Sequence, residues 1–284
     1  PNISNHNTSI QWAGFMLNTY ESDSEVFQNL NTFLAEKKAE GKKIVAYFAH
    51  EFVPEEIIRA AGAIPLPLIF AGDEDRFMMG ADLLTPSMCP FALSQIGSFL
   101  KREEDPKFQF LTHVDALIAT NYCAADNLVN EWIAKKTELP AFSLHIPFLR
   151  AHHHIKYYRH QIEILAKNMS HITGVPVDAQ KINIELESSQ KVAGLGLKIA
   201  MSNLSGSEKL KLTQQLHIFG SDDPWNSDRL DFEKLIRSLK LWERSSSSKR
   251  ALMLGGAPVF IGDRLIDLIE ESWSDLVMDA TWLG

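Results

Sequence analysis

Cys89 and Cys123 are the only two cysteines in the chain, and each stands just ahead of a predicted helix. Cys89 lies in SMCPF, where Pro90 suits a first helical position because its missing N–H would be unpaired there anyway. A thiol at such a position faces unpaired backbone N–H groups and the positive helix end, which favour the thiolate. Cys123 lies in NYCAAD, past the carboxyl end of the strongest predicted strand and before the next helix. That edge is where open α/β sheets place ligands. Thiolates converging on such a crevice suit a soft metal or an iron–sulfur cluster. The same residues also fit a pair of small buried hydrophobes, and two thiols are fewer than the four ligands usual around a cluster. Pro54-Glu55-Glu56 places two carboxylates in a predicted first helical turn, where negative charge is favoured. His152-His153-His154 is read as a solvated connection, since adjacent residues of a helix do not share a face. Gly255-Gly256 is read as a turn, and Asp126 and Asn127 as ordinary helix-start residues.

The elements that must position these residues follow from periodicity. Apolar residues at helical spacing predict a helix over 24–39, and KIVAYF (43–48) predicts a buried strand. A short helix from Pro54 to Gly62 follows, then a strand over 64–70 weakened by Pro65 and Pro67. Pro90 to Leu100 predicts a helix, His113 to Thr120 a strand, Asp126 to Lys136 a helix and Ala141 to Ile146 a strand. This alternation is that of a doubly wound parallel sheet in an α/β protein. Helical spacing dominates from about 155 to 240, and a strand–helix–strand pattern resumes after Ser245–Ser248. The expected organisation is an α/β lobe over 1–150 carrying both cysteines, a helical connection over 151–248, and a second, shortened α/β lobe from 249 to 284. That last piece either completes the first lobe or belongs to a chain cut short.

Composition sets outer limits. With 45% hydrophobic and 23% charged residues among 284, the chain is ordinary globular material. A net charge of −8 supplies no basic excess for phosphates and argues against nucleic acid as the main partner. No apolar run approaches the roughly 20 residues needed to cross a bilayer, and PNISNHNTSIQWAGF lacks the layout of a secretory signal. Two cysteines make no disulfide framework and point to a reducing compartment, so the expectation is a cytoplasmic protein without membrane contact. The first residue, Pro1, suggests a processed or incomplete start.

Several ordered blocks resemble one family. VAYFAHEFVPEEIIRAAGAIPLPL (45–68) is similar to the opening signature of 2-hydroxyacyl-CoA dehydratase and benzoyl-CoA reductase subunits. ADLLTPSMCPFALSQIG (81–97) and VDALIATNYCAADNLVNEW (114–132) resemble its two cysteine blocks. LHIPF (144–148), ITGVPVD (172–178) and LMLGGAPVF (252–260) resemble later landmarks in the same order. The resemblance implies radical chemistry on a CoA thioester: 2-hydroxyacyl-CoA dehydration, or ATP-dependent reduction of an aromatic acyl-CoA such as benzoyl-CoA. It implies a [4Fe-4S] cluster held by three cysteines, a related second subunit, and a separate ATP-dependent activator that donates electrons. Cys89 and Cys123 fall on the first two cysteine positions. The chain carries no G-x-x-x-x-G-K-[ST] loop, in keeping with ATP handling by the activator.

Two departures qualify this. The third cysteine block here reads Asp279-Ala280-Thr281-Trp282-Leu283-Gly284, with Trp282 at the thiol position. A further family cysteine, ahead of the Pro-Glu-Glu motif, is here His50. Either His50 or a partner subunit completes the ligand set, or the cluster is altered or absent. Glu55 is the acid–base candidate, placed near substrate by the resemblance and able to protonate a leaving hydroxyl or ring carbon if desolvated; the other reading makes it a helix-dipole residue. His50 is the second proton-donor candidate. The competing function is a non-catalytic partner subunit of the same fold that lacks a complete cluster.

Overall fold

The structure, a computed structural model, describes residues 23–49, 52–69, 74–149, 151–219, 236–241, 250–256, 265–272 and 274–281. The chain divides into two compact units, one of Phe27–Glu187 and one containing the described residues from Ser188 onward.

The first unit is built on a parallel sheet of strands β1 (Ile44–Phe48), β2 (Ile64–Leu68), β3 (Ala116–Thr120) and β4 (Ala141–Leu144), in the order β2-β1-β3-β4. β1 and β3 are buried along their whole length, as an all-parallel sheet covered on both faces requires. The β2 register pairs Val45 with Pro65 and Tyr47 with Pro67. Ile64 donates its N–H to Lys43 of the neighbouring chain segment, so the alternate positions 65 and 67 face outward. β2 is an edge strand, and there the missing proline N–H costs no ladder bond. The prolines thus mark the edge instead of breaking the strand.

Helices cover both faces. On one lie α2 (Glu55–Ala60) and α6 (His152–Thr173), packed on Val45, Tyr47, Ala116, Ile118 and Leu144 through Ile57, Ile58, Leu165 and Met169. On the other lie α3 (Glu74–Leu83), α4 (Pro90–Leu100) and α5 (Ala124–Thr137), with Phe91 of α4 edge-on to Phe48 at 6.3 Å. Successive strand residues point to opposite faces, so Tyr47 serves α2 and Phe48 serves α4. The helix α1 (Asp23–Ala39) precedes β1. α2 closes at Gly62, whose φ of +75° is a left-handed stop that glycine takes without strain.

Two local expectations are corrected. The strand expected from His113 begins at Ala116; before it, Pro106–His113 forms a 3-10 segment. There Asp105 accepts the Lys107 N–H at 3.0 Å, and Phe108, Phe110 and Leu111 turn inward. α3 was not expected at all, because its buried residues are the small Gly80 and Ala81, which leave no apolar stripe to read.

The second unit takes the end of α7 (Ala179–Ala200), α8 (Gly206–Phe219), and a parallel pair β5 (Arg250–Gly256) and β6 (Ser274–Thr281) joined by α9 (Leu265–Ser272). Leu195, Ile199, Leu212, Leu216 and Ile236 form its core. Glu270 of α9 accepts the Gly206 N–H at 2.9 Å, supplying a carboxylate to the positive end of α8. Gly255 and Gly256 lie within β5 and not in the expected turn.

Candidate functional site

The carboxyl edge of the four-stranded sheet gathers most of the residues singled out above. β1 leads to β2 on one side, and the chain then returns across β1 to β3 on the other. The strand order therefore reverses between β1 and β3, and in open α/β sheets ligands sit outside the carboxyl ends at such a point.

Both cysteines stand at this edge. Cys89 is the N-cap of α4 and Cys123 the N-cap of α5. The two helices pack against each other on the Phe48 face, and each opens with its cysteine carbonyl as first acceptor, from Leu93 N–H and Asn127 N–H respectively, both at 3.1 Å. Both thiols are free and half-buried. Burial pushes the Cys123 thiol above its usual range; the N–H groups of Asp126 and Ala125 pull it back, and the Asp126 carboxylate pushes it further up. The helix end alone would have favoured the thiolate, so desolvation outweighs it here. Asp126 is only 1% exposed and faces the Cys123 sulfur, which makes it more than the helix-start residue it resembled in the sequence. Its spacing of three from Cys123 on one helix face was the signal available for it.

The loop that carries Cys123 is pinned from below. Asn121 donates its amide to the Ile146 carbonyl at 3.1 Å and accepts the Ile146 N–H at 2.6 Å, tying the ends of β3 and β4. The Tyr122 N–H reaches the buried Thr120 hydroxyl at 3.1 Å. Across the reversal point Phe52, after β1, meets Tyr122, after β3, edge to face with centroids 5.0 Å apart. These rings were not singled out by sequence, because no periodicity flags isolated loop aromatics.

Glu55 opens α2 after β1, at the same edge, but its carboxylate turns to the opposite sheet face. One oxygen accepts the Tyr47 hydroxyl and the other the Arg59 guanidinium. Arg59 also reaches Glu185 of α7, Nε to Oε2 at 3.8 Å. Burial, then the adjacent Glu55 charge, holds the Tyr47 phenol well above its ordinary range. The cysteine helices and the Glu55 carboxylate are thus on opposite faces of one sheet edge. His50 and Trp282 lie outside the described residues. His153 and His154 begin α6 with ring centroids 3.9 Å apart.

Two thiols at the starts of packed helices fit one side of a soft metal centre, with backbone N–H groups at hand to stabilise sulfur-borne charge. Among the described residues, no group of three or more His, Cys, Asp or Glu side chains is gathered to hold a metal ion. None of the described helices is long and apolar enough to cross a membrane.

No curated protein matches the chain. The family model described as 2-hydroxyglutaryl-CoA dehydratase, D-component matches residues 51–284, which include both cysteines and Glu55. With a match over that much of its length, the chain belongs to the 2-hydroxyglutaryl-CoA dehydratase D-component family, whose members are subunits of 2-hydroxyacyl-CoA dehydratase-type enzymes.

Proposed function

We propose that this chain is a subunit of an iron–sulfur enzyme acting on CoA thioesters by radical chemistry, with Cys89 and Cys123 among the ligands of a [4Fe-4S] cluster. The observation that carries this is that the two cysteines are the N-cap residues of neighbouring helices on one face, at the carboxyl edge where the strand order reverses. The reaction class is dehydration of a 2-hydroxyacyl-CoA or reduction of an aromatic acyl-CoA. A bound cluster would supply a low-potential electron to the thioester. The chain's own residues would hold and insulate it: α5 presents the Ala125 and Asp126 N–H groups to the Cys123 sulfur, and the Asp126 carboxylate packs against it. A related second subunit would bring the remaining ligands, and an ATP-dependent activator the electron. Glu55 and His50 are the acid–base candidates within this reading. Glu55 would have to release Tyr47 or Arg59 to take part.

Anaerobic purification, followed by iron and sulfide determination and visible absorption, tests the assignment. The wild type should carry iron and sulfide with a broad visible band, and Cys89→Ser and Cys123→Ser should each lose most of it. A wild-type chain that stays colourless and iron-free after reconstitution with its partner would overturn the reading. That result would favour the second one, a non-catalytic partner subunit, which draws support from Trp282 at the third cysteine position and from the lack of a three-residue ligand group among the described residues.

A further inference from the structure

Phe52 and Tyr122 are 65% and 52% exposed, although each is a large ring in a loop braced by buried neighbours. They touch across the point where the strand order reverses, and Tyr122 is the residue before Cys123. Phe52 holds φ at +54°, a left-handed backbone that bulky residues rarely adopt. Packing does not call for a strained backbone that presents a ring to water; such outliers cluster at ligand clamps.

We propose that Phe52 and Tyr122 form the wall that recognises the acyl group of the thioester, and that they select an apolar or aromatic acyl group over one ending in a carboxylate. This rests on the CoA-thioester reading above and adds the class of acyl group to it. The edge-to-face contact orients the two rings as one apolar surface beside the Cys123 loop. Among the described residues flanking the rings, Val53 and Pro54 on one loop and Asn121 and Cys123 on the other, none carries a positive charge. The Asn121 amide is committed to the Ile146 backbone, and the Arg59 guanidinium to Glu55 and Glu185. A carboxylate pressed against the ring faces would lose water and meet no cation among the described residues of these loops, with the Tyr122 hydroxyl as a neutral donor only. A methylene in the same place gains roughly fourfold in affinity by burial.

The test is calorimetric titration of the full chain with pentanoyl-CoA and glutaryl-CoA, with CoA alone as baseline. The two thioesters match in carbon number, differ in a methyl against a carboxylate, and lack the 2-hydroxyl, so neither can be dehydrated. Pentanoyl-CoA should bind at least about tenfold more tightly than glutaryl-CoA. Phe52→Ala and Tyr122→Ala should each weaken pentanoyl-CoA by about three- to tenfold and leave glutaryl-CoA and CoA unchanged; Tyr122→Phe should keep the preference. Equal binding of the two thioesters, or unaltered preference in both alanine variants, would overturn the acyl wall while leaving the CoA-thioester reading intact. Failure of every thioester and of CoA to bind would overturn that reading, and the wall with it. Alanine variants that change the sedimenting mass but not the preference would make the rings a subunit contact, which also overturns the proposal.

Discussion

Glu55 separates two roles that one residue could play at a strand-to-helix turn. As a proton donor it would need a carboxyl group free to meet substrate, and its removal would cost about 10²–10⁴-fold in rate. In the structure both oxygens are engaged, one by the Tyr47 hydroxyl and one by Arg59, on the face away from α4 and α5. That geometry favours a holding role. Glu55→Gln should then cost about 0.5–2 kcal/mol through the lost helix-end charge and ion pair, while single-turnover rate with pre-reduced protein stays within about threefold. It should also shift Tyr47. Burial keeps that phenol high, and the Glu55 charge adds to it, so an ultraviolet tyrosine titration should find Tyr47 ionising at lower pH in the variant, yet still above an exposed tyrosine. A hundredfold loss of rate in a variant of unchanged stability would instead make Glu55 the acid. At this scale the sequence exposed the thiols and the acidic helix start, since these are properties of residue type. It hid the Tyr47 and Asp126 contacts, because those depend on which face each side chain takes.

Elements were legible where one strong signal dominated. Pro90 starts α4 and Gly62 stops α2, as expected from fixed φ in one case and free φ in the other. α3 escaped notice for a reason with a measurable consequence. It crosses α4 so closely that a Cβ on Gly80 would collide with the Leu93 backbone, and one on Gly97 with the Arg76 backbone. Backbone atoms cannot step aside as a side-chain tip can. Gly80→Ala should therefore destabilise by about 1–3 kcal/mol despite the better helix propensity of alanine. Gly194 in α7 is the matched control, with nothing within 4 Å of its would-be Cβ. Gly194→Ala should gain up to about 1 kcal/mol. Urea unfolding of the two variants checks the sign. Under the cluster assignment proposed above, Gly80→Ala should also lose bound iron in proportion to the displaced helix, because α4 carries Cys89, whereas Gly194→Ala should not. Equal urea midpoints for the two variants would mean that the α3–α4 crossing gives way more easily than its geometry implies.

Over the whole first unit, strand–helix alternation was legible, and with it a parallel sheet; the strand order was not written in any one segment. What fixes that order at the amino edge is Asp115, at the entry to β3. Its carboxylate accepts the Ile44 N–H at 2.9 Å, Lys38 of α1 at 2.6 Å and Lys43 at 3.3 Å, while its own N–H reaches the Ile44 carbonyl at 2.8 Å. One side chain thus joins α1, β1 and β3. Burial alone would raise this carboxyl group, but the Lys38 hydrogen bond, the Ile44 N–H, the Lys38 charge and the Lys43 hydrogen bond overcome it and hold it below the ordinary value. A depressed carboxylate stabilises fully above the unfolded value of about 3.9 and loses that contribution as pH falls through the folded one. His113 acts in an earlier window. Burial and the Lys38 charge lower it, so the folded state resists its protonation, and stability falls as pH drops below about 6.5 toward the lowered value. Acidification should therefore weaken the wild type in two stages, first near His113 and then below the usual carboxylate range. Asp115→Asn should be about 1–2 kcal/mol less stable at pH 7, the worth of a charge-assisted hydrogen bond discounted for the half-exposed lysines. Its lower stage should be reduced, so that urea midpoints of variant and wild type converge as pH falls below the usual carboxylate range. Midpoints that stay a constant distance apart from pH 7 to pH 2.5 would show that the carboxylate charge contributes nothing, leaving the Ile44 hydrogen bond as the whole of the joint.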